Sequence, residues 1–161
     1  MLYEEMLQTP TGAFRVVTDE TGRVRRANWA DREPMSERPQ TPRAPSAAAK
    51  AFAAYFAGDI SALDGLEVET GGTGFQRQVW AALRRVPAGA TVSYKDIAVA
   101  IGRPSATRAV GLANGANPAA LVVPCHRVIG ADGSLTGYGG GLERKRWLIE
   151  HERAAAVRAA A

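Results

Sequence analysis

Residues 94–114, YKDIAVAIGRPSATRAVGLAN, hold two short helical patterns separated by a tight turn. Apolar residues recur at helical spacing from Tyr94 to Ile101, the glycine and proline of GRPS interrupt them, and a second helix is predicted to start at Ser105. Two short helices joined in this way are typical of a helix-turn-helix, whose second helix enters a groove in nucleic-acid-binding versions. Plain helix packing gives the same pattern, so this segment alone leaves both interpretations open.

The N-terminal third of the chain predicts an antiparallel sheet followed by a helix. Strands are predicted over Leu2–Gln8, Ala13–Val17 and Val24–Trp29, because turn-forming residues separate these runs. Ser46 is predicted to cap the alanine-rich helix that follows it. One more strand is predicted over Leu63–Glu69.

Two compositional shifts suggest how the chain is organised. Residues 31–45 contain four prolines and many charges, which favours an exposed loop or connector. The composition changes again around Thr70–Gly74. We therefore predict an N-terminal α/β domain over residues 1–70, which includes the proline-rich loop, and a C-terminal domain over residues 71–161. The fold class expected from these elements is α+β.

The C-terminal half carries further local signals besides the two short helices. Thr73 and Gln76 have the spacing of a capping box, so a helix is predicted to begin there. The apolar run AALVV at 119–123 reads as a strand that leads into Pro124. The last helix is predicted to begin near Leu142.

Composition excludes several classes of protein. No apolar run is long enough to span a bilayer, and the acidic N-terminus MLYEEMLQTP lacks the basic start of a signal peptide, so a cytoplasmic location is expected. With one cysteine and two histidines, the sequence offers neither an internal disulfide nor a cysteine-rich zinc site, and no metal is expected. The net charge of +4 is compatible with a polyanionic partner but does not identify one.

The segment PCHRV at 124–128 holds the single thiol. A thiol attacks as the thiolate, and its reference pKa of about 8.5 leaves little thiolate at neutral pH, so a neighbouring base or cation is needed. His126 is adjacent to Cys125, and Arg127 adds positive charge. Adjacent residues on a strand point to opposite faces, so a Cys–His contact needs a turn or an intervening water. A buried thiol beside a hydrogen-bonded histidine, without chemistry, fits the spacing equally well.

A third polar group would orient the imidazole, and a glycine-rich loop follows. Glu150, Glu152 and Asn117 are the candidates for the third group, and their spacing does not choose among them. In the loop TGYGGG, the glycines allow close approach of the backbone to a ligand, and Tyr138 can shape a small pocket. A simple flexible turn is the alternative for this loop.

Several segments in order make the sequence similar to a known family. It resembles the O6-alkylguanine-DNA alkyltransferases, also called methylated-DNA–protein-cysteine methyltransferases. The resemblance covers nearly all of residues 74–152, whereas the first 70 residues match only in general character. The matching segments are FQRQVW at 75–80, SYKDIA at 93–98, RAVGLANGANP at 108–118, LVVPCHRVIG at 121–130, YGGG at 138–141 and KRWLIEHE at 145–152.

The resemblance implies a fold and a function. The expected fold is a small N-terminal ribonuclease H-like α/β domain followed by a mostly helical, winged-helix-like domain that contains the helix-turn-helix. The expected function is DNA repair by direct reversal, in which a flipped O6-alkylguanine, and also O4-alkylthymine, loses its alkyl group irreversibly to Cys125 in a single turnover. Double-stranded DNA is the expected partner, no cofactor is expected, and the protein is expected to be a monomer, with cooperative binding left open.

The resemblance also implies catalytic roles. Cys125 is the alkyl acceptor, His126 is its base through a bound water, and Glu152 polarises His126. Asn117 orders the active-site turn, and Lys145 hydrogen-bonds near the cysteine.

The remaining implied roles concern DNA and the guanine pocket. Tyr94 rotates the 3′ phosphate and protonates the leaving guanine, and Arg108, on a helix that lies in the minor groove, fills the gap left by the extruded base. The other residues expected to bind DNA are Ser93, Thr107 and Ala106. The residues expected to line the guanine pocket are Tyr138, Gly139, Gly140, Val128 and Pro124.

The sequence departs from parts of the family pattern. Residues 1–70 contain no Cys or His, so the structural zinc of some relatives is not expected. Gly139 stands where some relatives carry Ser, which affects pocket hydrogen bonding and the tolerance of bulky adducts. The competing interpretations are a lesion-binding protein without transfer, a cysteine hydrolase using Cys125 and His126, and a transcription regulator with an unrelated thiol. A sister family that only binds lesions carries Trp in place of the cysteine. Cys125 excludes that family by identity.

Overall fold

The computed structural model describes residues 1–32, 40–42 and 44–161. These residues divide into two compact units. Unit 1 comprises Met1–Thr70 and Pro118–Val122, and unit 2 comprises Gly71–Asn117 and Val123–Ala161. Within the described residues the fold is mixed α/β, with a small antiparallel sheet and five α-helices. The ribonuclease H-like and winged-helix-like details stay predictions.

The antiparallel sheet of unit 1 has the order β1-β2-β3. Its strands are β1 (Leu2–Thr9), β2 (Gly12–Asp19) and β3 (Val24–Trp29), which confirms the three predicted strands with small extensions of the first two. Asp19 closes the turn into β3, because its Oδ1 accepts hydrogen bonds from the backbone N–H groups of Thr21 (2.9 Å) and Arg23 (3.1 Å).

The core of unit 1 is an aromatic cluster between the sheet and one helix. Helix α1 (Ala47–Phe56) begins after Ser46, whose hydroxyl accepts from the backbone N–H of Ala49, as the capping prediction required. Phe14 on β2 lies with its ring centroid 5.2 Å from Trp29 and 5.3 Å from Phe52 of α1. These three side chains have no exposed surface, so their burial fixes α1 on the sheet.

Two predictions for unit 1 differ from the structure. Leu63–Glu69 is not a strand: Val68 forms an isolated bridge with Val24, and hydrogen bonds between near neighbours, such as Asp64 N–H to Ser61 O, make turns of the residues before it. The proline-rich loop predicted over 31–45 lies largely outside the described residues. Gln40, which is described, pairs with Tyr3 on the edge strand β1.

Pro118–Val122 also differs from its sequence-based assignment. The backbone N–H of Ala27 on β3 donates to Pro118 O, and Ala120 N–H donates to Ala27 O, so this segment joins unit 1 rather than the C-terminal half. The run 119–123 is buried, as its composition suggests, but it is not a strand, because Leu121 adopts a φ of 72° and breaks the extended path. The domain boundary at residue 70 stays a prediction.

Unit 2 contains the four remaining helices and one short parallel strand pair. Thr73 and Gln76 form the predicted capping box, and Ser93 forms another with Asp96. The helix after GRPS begins at Thr107 and not at Ser105, because Ala106 N–H bonds to Arg103 O and closes a turn first. The elements are α2 (Gly74–Leu83), β4 (Val92–Ser93), α3 (Tyr94–Ala100), α4 (Thr107–Gly115), β5 (Val128–Ile129) and α5 (Leu142–Ala160).

Packing between the helices of unit 2 supports the helix-turn-helix pair α3 and α4. Val79 and Leu83 of α2, Ile97 of α3 and Val110 of α4 are buried. Trp80 of α2 donates its indole N–H to the carbonyl of Ala113 on α4 at 2.9 Å, which anchors the C-terminal half of α4. Among the described residues, no helix has both the length and the apolar character needed to cross a membrane.

Candidate active site

The segment around Cys125 forms a turn. Cys125–Arg127 is a single turn of 3-10 helix, in which Cys125 N–H donates to Val123 O at 2.8 Å and Arg127 N–H donates to Pro124 O at 3.0 Å. All three side chains of the turn are buried. The turn therefore directs three adjacent side chains into the interior, which a strand would not do.

The end of α4 and the residues just after it hold this turn from two points. Asn117, expected from the sequence, donates its Nδ2 to Val123 O at 2.7 Å. Asn114 donates its Nδ2 to the carbonyl of Cys125 at 3.4 Å, a longer bond that the sequence did not predict. The helix-turn-helix and the cysteine turn are thus joined by side-chain amides within unit 2.

Cys125 is a buried thiol with polar neighbours. Cys125 is only 7% exposed, and its burial raises the pKa of the thiol above its usual value. The side chain of Asn117, the charge of Lys145 and the hydroxyl of Tyr138 act in the opposite direction on that pKa without reversing it. Burial therefore favours the protonated form of this thiol.

His126 and Glu152 form a buried pair. His126 Nε2 lies 2.6 Å from Glu152 Oε2, and both residues are at most 1% exposed. A carboxylate can only accept, so Nε2 carries the proton and Nδ1 is left as the acceptor of a neutral ring. Burial lowers the pKa of His126, which favours that neutral form. Nδ1 is buried and has no hydrogen-bond partner among the described residues, so the ring and the thiol are not directly hydrogen-bonded.

Arg127 is a second buried partner of Glu152 and forms an ion pair with it. Its Nε donates to Oε1 at 2.8 Å and its Nη2 to Oε2 at 3.1 Å, while Nη1 donates to the carbonyl of Val86 at 2.7 Å. Burial by itself would raise the pKa of Glu152, but His126 and Arg127 outweigh it and hold that pKa below its usual range. From the sequence, Arg127 is expected only to add local positive charge, and its contact with Glu152 is not predicted.

Helix α5 places Lys145 and Glu152 on one face. The two residues are seven positions apart, or about two helical turns, and the buried positions between them include Leu148 and Ile149. Glu150, the other carboxylate that the spacing left open, is exposed. Helical periodicity anchored on Leu148 and Ile149 is the signal in the sequence that distinguishes Glu152 from Glu150.

Lys145 and Tyr94 both hydrogen-bond to Thr136, a residue that no sequence pattern indicated. Lys145 is fully buried, and its Nζ donates to the backbone carbonyl of Thr136 at 3.1 Å. Burial lowers the pKa of Lys145, and only a thiolate at Cys125 acts in the opposite direction. The hydroxyl oxygens of Tyr94 and Thr136 lie 2.8 Å apart.

The residues predicted to line a pocket lie on both sides of the cysteine and in the glycine-rich loop. Pro124 and Val128 flank the Cys125 turn and are buried, and Val128 pairs with Val92. Tyr138 is half-buried in that loop, and its side chain acts to lower the pKa of the Cys125 thiol. Gly139 is exposed, and a Cβ added there would meet no heavy atom within 4 Å, whereas Gly140 is buried.

The residues predicted to bind DNA lie at the N-terminal ends of α3 and α4. Ser93 caps α3, Ala106 precedes α4, and both are half-buried. Thr107 and Arg108 lie in the first turn of α4 and are exposed. Of these four residues, only the two on α4 are exposed.

Comparison with known proteins identifies the class to which this arrangement belongs. A family model described as the DNA-binding domain of 6-O-methylguanine DNA methyltransferase matches residues 74–154. A methylated-DNA–protein-cysteine methyltransferase of Salmonella typhimurium is 48% identical over 164 aligned residues, which cover 94% of this chain and 95% of that protein. One of Mycobacterium tuberculosis is 56% identical over 115 residues, which cover 71% of this chain and 69% of that protein.

Solved structures agree with the sequence relatives. The OGT of Mycobacterium tuberculosis in complex with DNA superposes with a TM-score of 0.84 at 42% identity, covering 95% of this chain and 94% of that one. The O6-methylguanine-DNA methyltransferase of the archaeon Pyrococcus kodakaraensis gives a TM-score of 0.67 at 26% identity, covering 94% and 99%. This chain belongs to the methylated-DNA–protein-cysteine methyltransferase family, which confirms the resemblance found in the sequence.

Proposed function

We propose that this protein repairs DNA by moving the alkyl group of O6-alkylguanine onto Cys125. The observation that carries the proposal is the buried Cys125 turn beside the His126–Glu152 pair, in a chain whose relatives are named for this transfer. O6-methylguanine is the proposed principal substrate, and O4-alkylthymine is the proposed second one. The proposed location is the cytoplasm.

The chemical step follows from the protonation states of the site. The sulfur attacks the alkyl carbon in line as the thiolate, the S–C bond forms, and the bond between the carbon and guanine O6 breaks. The thiol proton passes to Nδ1 of His126 through a water molecule, and Glu152 stabilises the imidazolium that forms. Guanine leaves as an anion and takes a proton from Tyr94. Lys145 favours the thiolate through its charge.

The proposed reaction occurs once for each protein molecule. The product is a thioether, which water does not hydrolyse. A second thiol to remove the alkyl group is not available, because Cys125 is the only cysteine in the sequence. The protein is therefore consumed as it repairs, and no cofactor takes part in this scheme.

Access to the lesion requires the nucleotide to leave the duplex. The reacting group lies within the base stack, so the protein has to extrude the damaged nucleotide, at a cost of a few kcal/mol. We assign α4 to the minor groove, with Tyr94 rotating the 3′ phosphate and Arg108 filling the space of the extruded base. Ser93, Ala106 and Thr107 contact the DNA around them. The exposed position of Arg108 and the DNA complex of the Mycobacterium tuberculosis OGT support this assignment.

The extruded base is proposed to bind against the glycine-rich loop. Tyr138 and the backbone of Val128 face the guanine, with Pro124, Gly139 and Gly140 completing the pocket. The hydrogen bond from Lys145 to the carbonyl of Thr136, two residues before Tyr138, supports this placement, because it ties the loop to the buried face of α5.

A lesion-binding protein without transfer is the alternative, and intact-protein mass spectrometry separates the two. After incubation with a duplex that contains O6-methylguanine, the protein should gain the mass of one methylene group, since a methyl replaces the thiol hydrogen. Cys125→Ser should bind the same duplex without a mass change. Binding by the wild-type protein with no change in mass would favour the lesion-binding alternative.

The role of Arg108 is tested by a substrate that needs no extrusion. Arg108→Ala should slow repair of a duplex lesion far more than reaction with the free base O6-benzylguanine. The slope of affinity against salt should barely change, because a phosphate contact is not lost. Equal slowing with both substrates would show that Arg108 acts on the pocket or on the fold.

A further inference from the structure

Thr136 contacts two groups of the proposed chemistry through two different atoms. Its side-chain oxygen lies 2.8 Å from the Tyr94 hydroxyl, and its backbone carbonyl accepts from the ammonium of Lys145 at 3.1 Å. The residue is half-buried in the loop between β5 and α5. Because Lys145 is fully buried and α5 fixes it, the bond to the carbonyl fixes the peptide unit from which the Thr136 side chain extends.

The proposed proton transfer from Tyr94 determines the direction of the Tyr94–Thr136 hydrogen bond. Either oxygen can donate in the unliganded protein. When Tyr94 gives its proton to the leaving guanine, its oxygen becomes an anion and can only accept, so Thr136 then donates. A hydrogen bond to an ionised acceptor is about twice as strong as one between neutral groups. The contact therefore strengthens during the reaction, which is the condition for accelerating it.

We propose that Thr136 is a positioning residue for the alkyl transfer, which orients the Tyr94 hydroxyl and stabilises its anion as guanine leaves. This inference rests on the proposed function and extends it. The proton moves from Tyr94 to the departing guanine, the Thr136 hydroxyl keeps its own proton, and no other reactant is needed. Through its peptide unit, Thr136 also links Tyr94 at the leaving group to Lys145 near the sulfur.

The test is an isosteric pair of variants at this position. Thr136→Val keeps the shape and removes the hydroxyl, whereas Thr136→Ser keeps the hydroxyl. At saturating methylated duplex, Thr136→Val should transfer about tenfold more slowly, since a hydrogen bond to a charged group is lost, with unchanged DNA affinity. Thr136→Ser should restore the rate. Ser134→Ala is the matched control, because it removes a hydroxyl in the same loop that bonds to Asp132 instead.

A double-mutant cycle with Tyr94→Phe decides whether Thr136 acts through Tyr94. In that background Thr136→Val should have no further effect on the transfer rate. Wild-type transfer by Thr136→Val, equal slowing by Thr136→Ser, or additive losses in the double variant would overturn the inference. A loss of DNA affinity with an unchanged transfer rate at saturating duplex would also overturn it. If the wild-type protein transfers nothing, the proposed function itself fails, and the two failures are thereby distinguished.

Discussion

Replacing Arg127 by Met should reveal how strongly the buried carboxylate depends on its cation. The guanidinium makes two hydrogen bonds to Glu152 and a third to the carbonyl of Val86, all between 2.7 and 3.1 Å. Met fills a similar volume without charge or donors. The substitution therefore leaves Glu152 buried beside His126 without the Arg127 cation, and it leaves the Val86 carbonyl without this donor.

The expected cost at neutral pH is large. Breaking a buried ion pair by removing one partner costs about 3–5 kcal/mol, a substantial part of a total stability of about 5–15 kcal/mol. In the wild type the pKa of Glu152 is lower in the folded than in the unfolded protein. The ionised carboxylate therefore stabilises the fold at pH values above the ordinary carboxyl pKa, and this stabilisation is lost as the pH falls through the folded pKa. In the variant, less positive charge opposes the effect of burial, so the pKa of Glu152 rises. The difference in the free energy of unfolding between the wild type and Arg127→Met should therefore shrink from neutral pH toward a pH of about 4.

Urea unfolding, followed by tryptophan fluorescence at several pH values, measures this difference. Adding Glu152→Gln to Arg127→Met should recover stability at neutral pH, because it removes the uncompensated charge, whereas Glu152→Gln alone should destabilise the wild type. Arg127→Lys keeps the charge without the two-pronged geometry and should fall between the wild type and Met. A loss below about 1 kcal/mol for Arg127→Met, or a loss that does not depend on pH, would refute the reasoning.

Two further predictions concern the reaction. His126→Ala should slow transfer by roughly 10²–10⁴-fold at saturating DNA while leaving duplex affinity nearly intact, since a general base is lost; single-turnover kinetics check this, and an unchanged rate would remove His126 from the mechanism. Gly139→Ala should change stability by no more than about 0.5 kcal/mol, because its Cβ meets no neighbour, but should slow transfer from O6-benzylguanine more than from O6-methylguanine in otherwise identical duplexes. Equal slowing with both adducts would place residue 139 outside the pocket.

Local signals in the sequence predicted much of the fold. The three strands, the cap at Ser46 and the capping box at Thr73 depend on residues close together in the chain, and all are confirmed. Leu63–Glu69 failed as a strand because the residue types of a segment do not report whether a neighbouring strand pairs with it along its length. The run 119–123 failed because a positive φ at Leu121 is not visible in an apolar composition.

Local sequence patterns predicted less of the candidate site than of the fold. The adjacency of Cys125 and His126 marked its centre, and the family resemblance selected Glu152. The contacts of Arg127 with Glu152 and of Tyr94 with Thr136 join residues 25 and 42 positions apart, so only the folded chain brings them together. The buried state of Lys145 depends in the same way on how α5 packs.

Alkyl transfer to Cys125 is tested by peptide mapping with mass spectrometry after treatment with an excess of O6-methylguanine duplex. Repaired guanine and methylated protein are counted in the same samples over time. We expect one methyl group per chain, located on Cys125, and repair that stops when every chain carries it. A methyl group on any other residue, or more guanines repaired than protein molecules present, would contradict it.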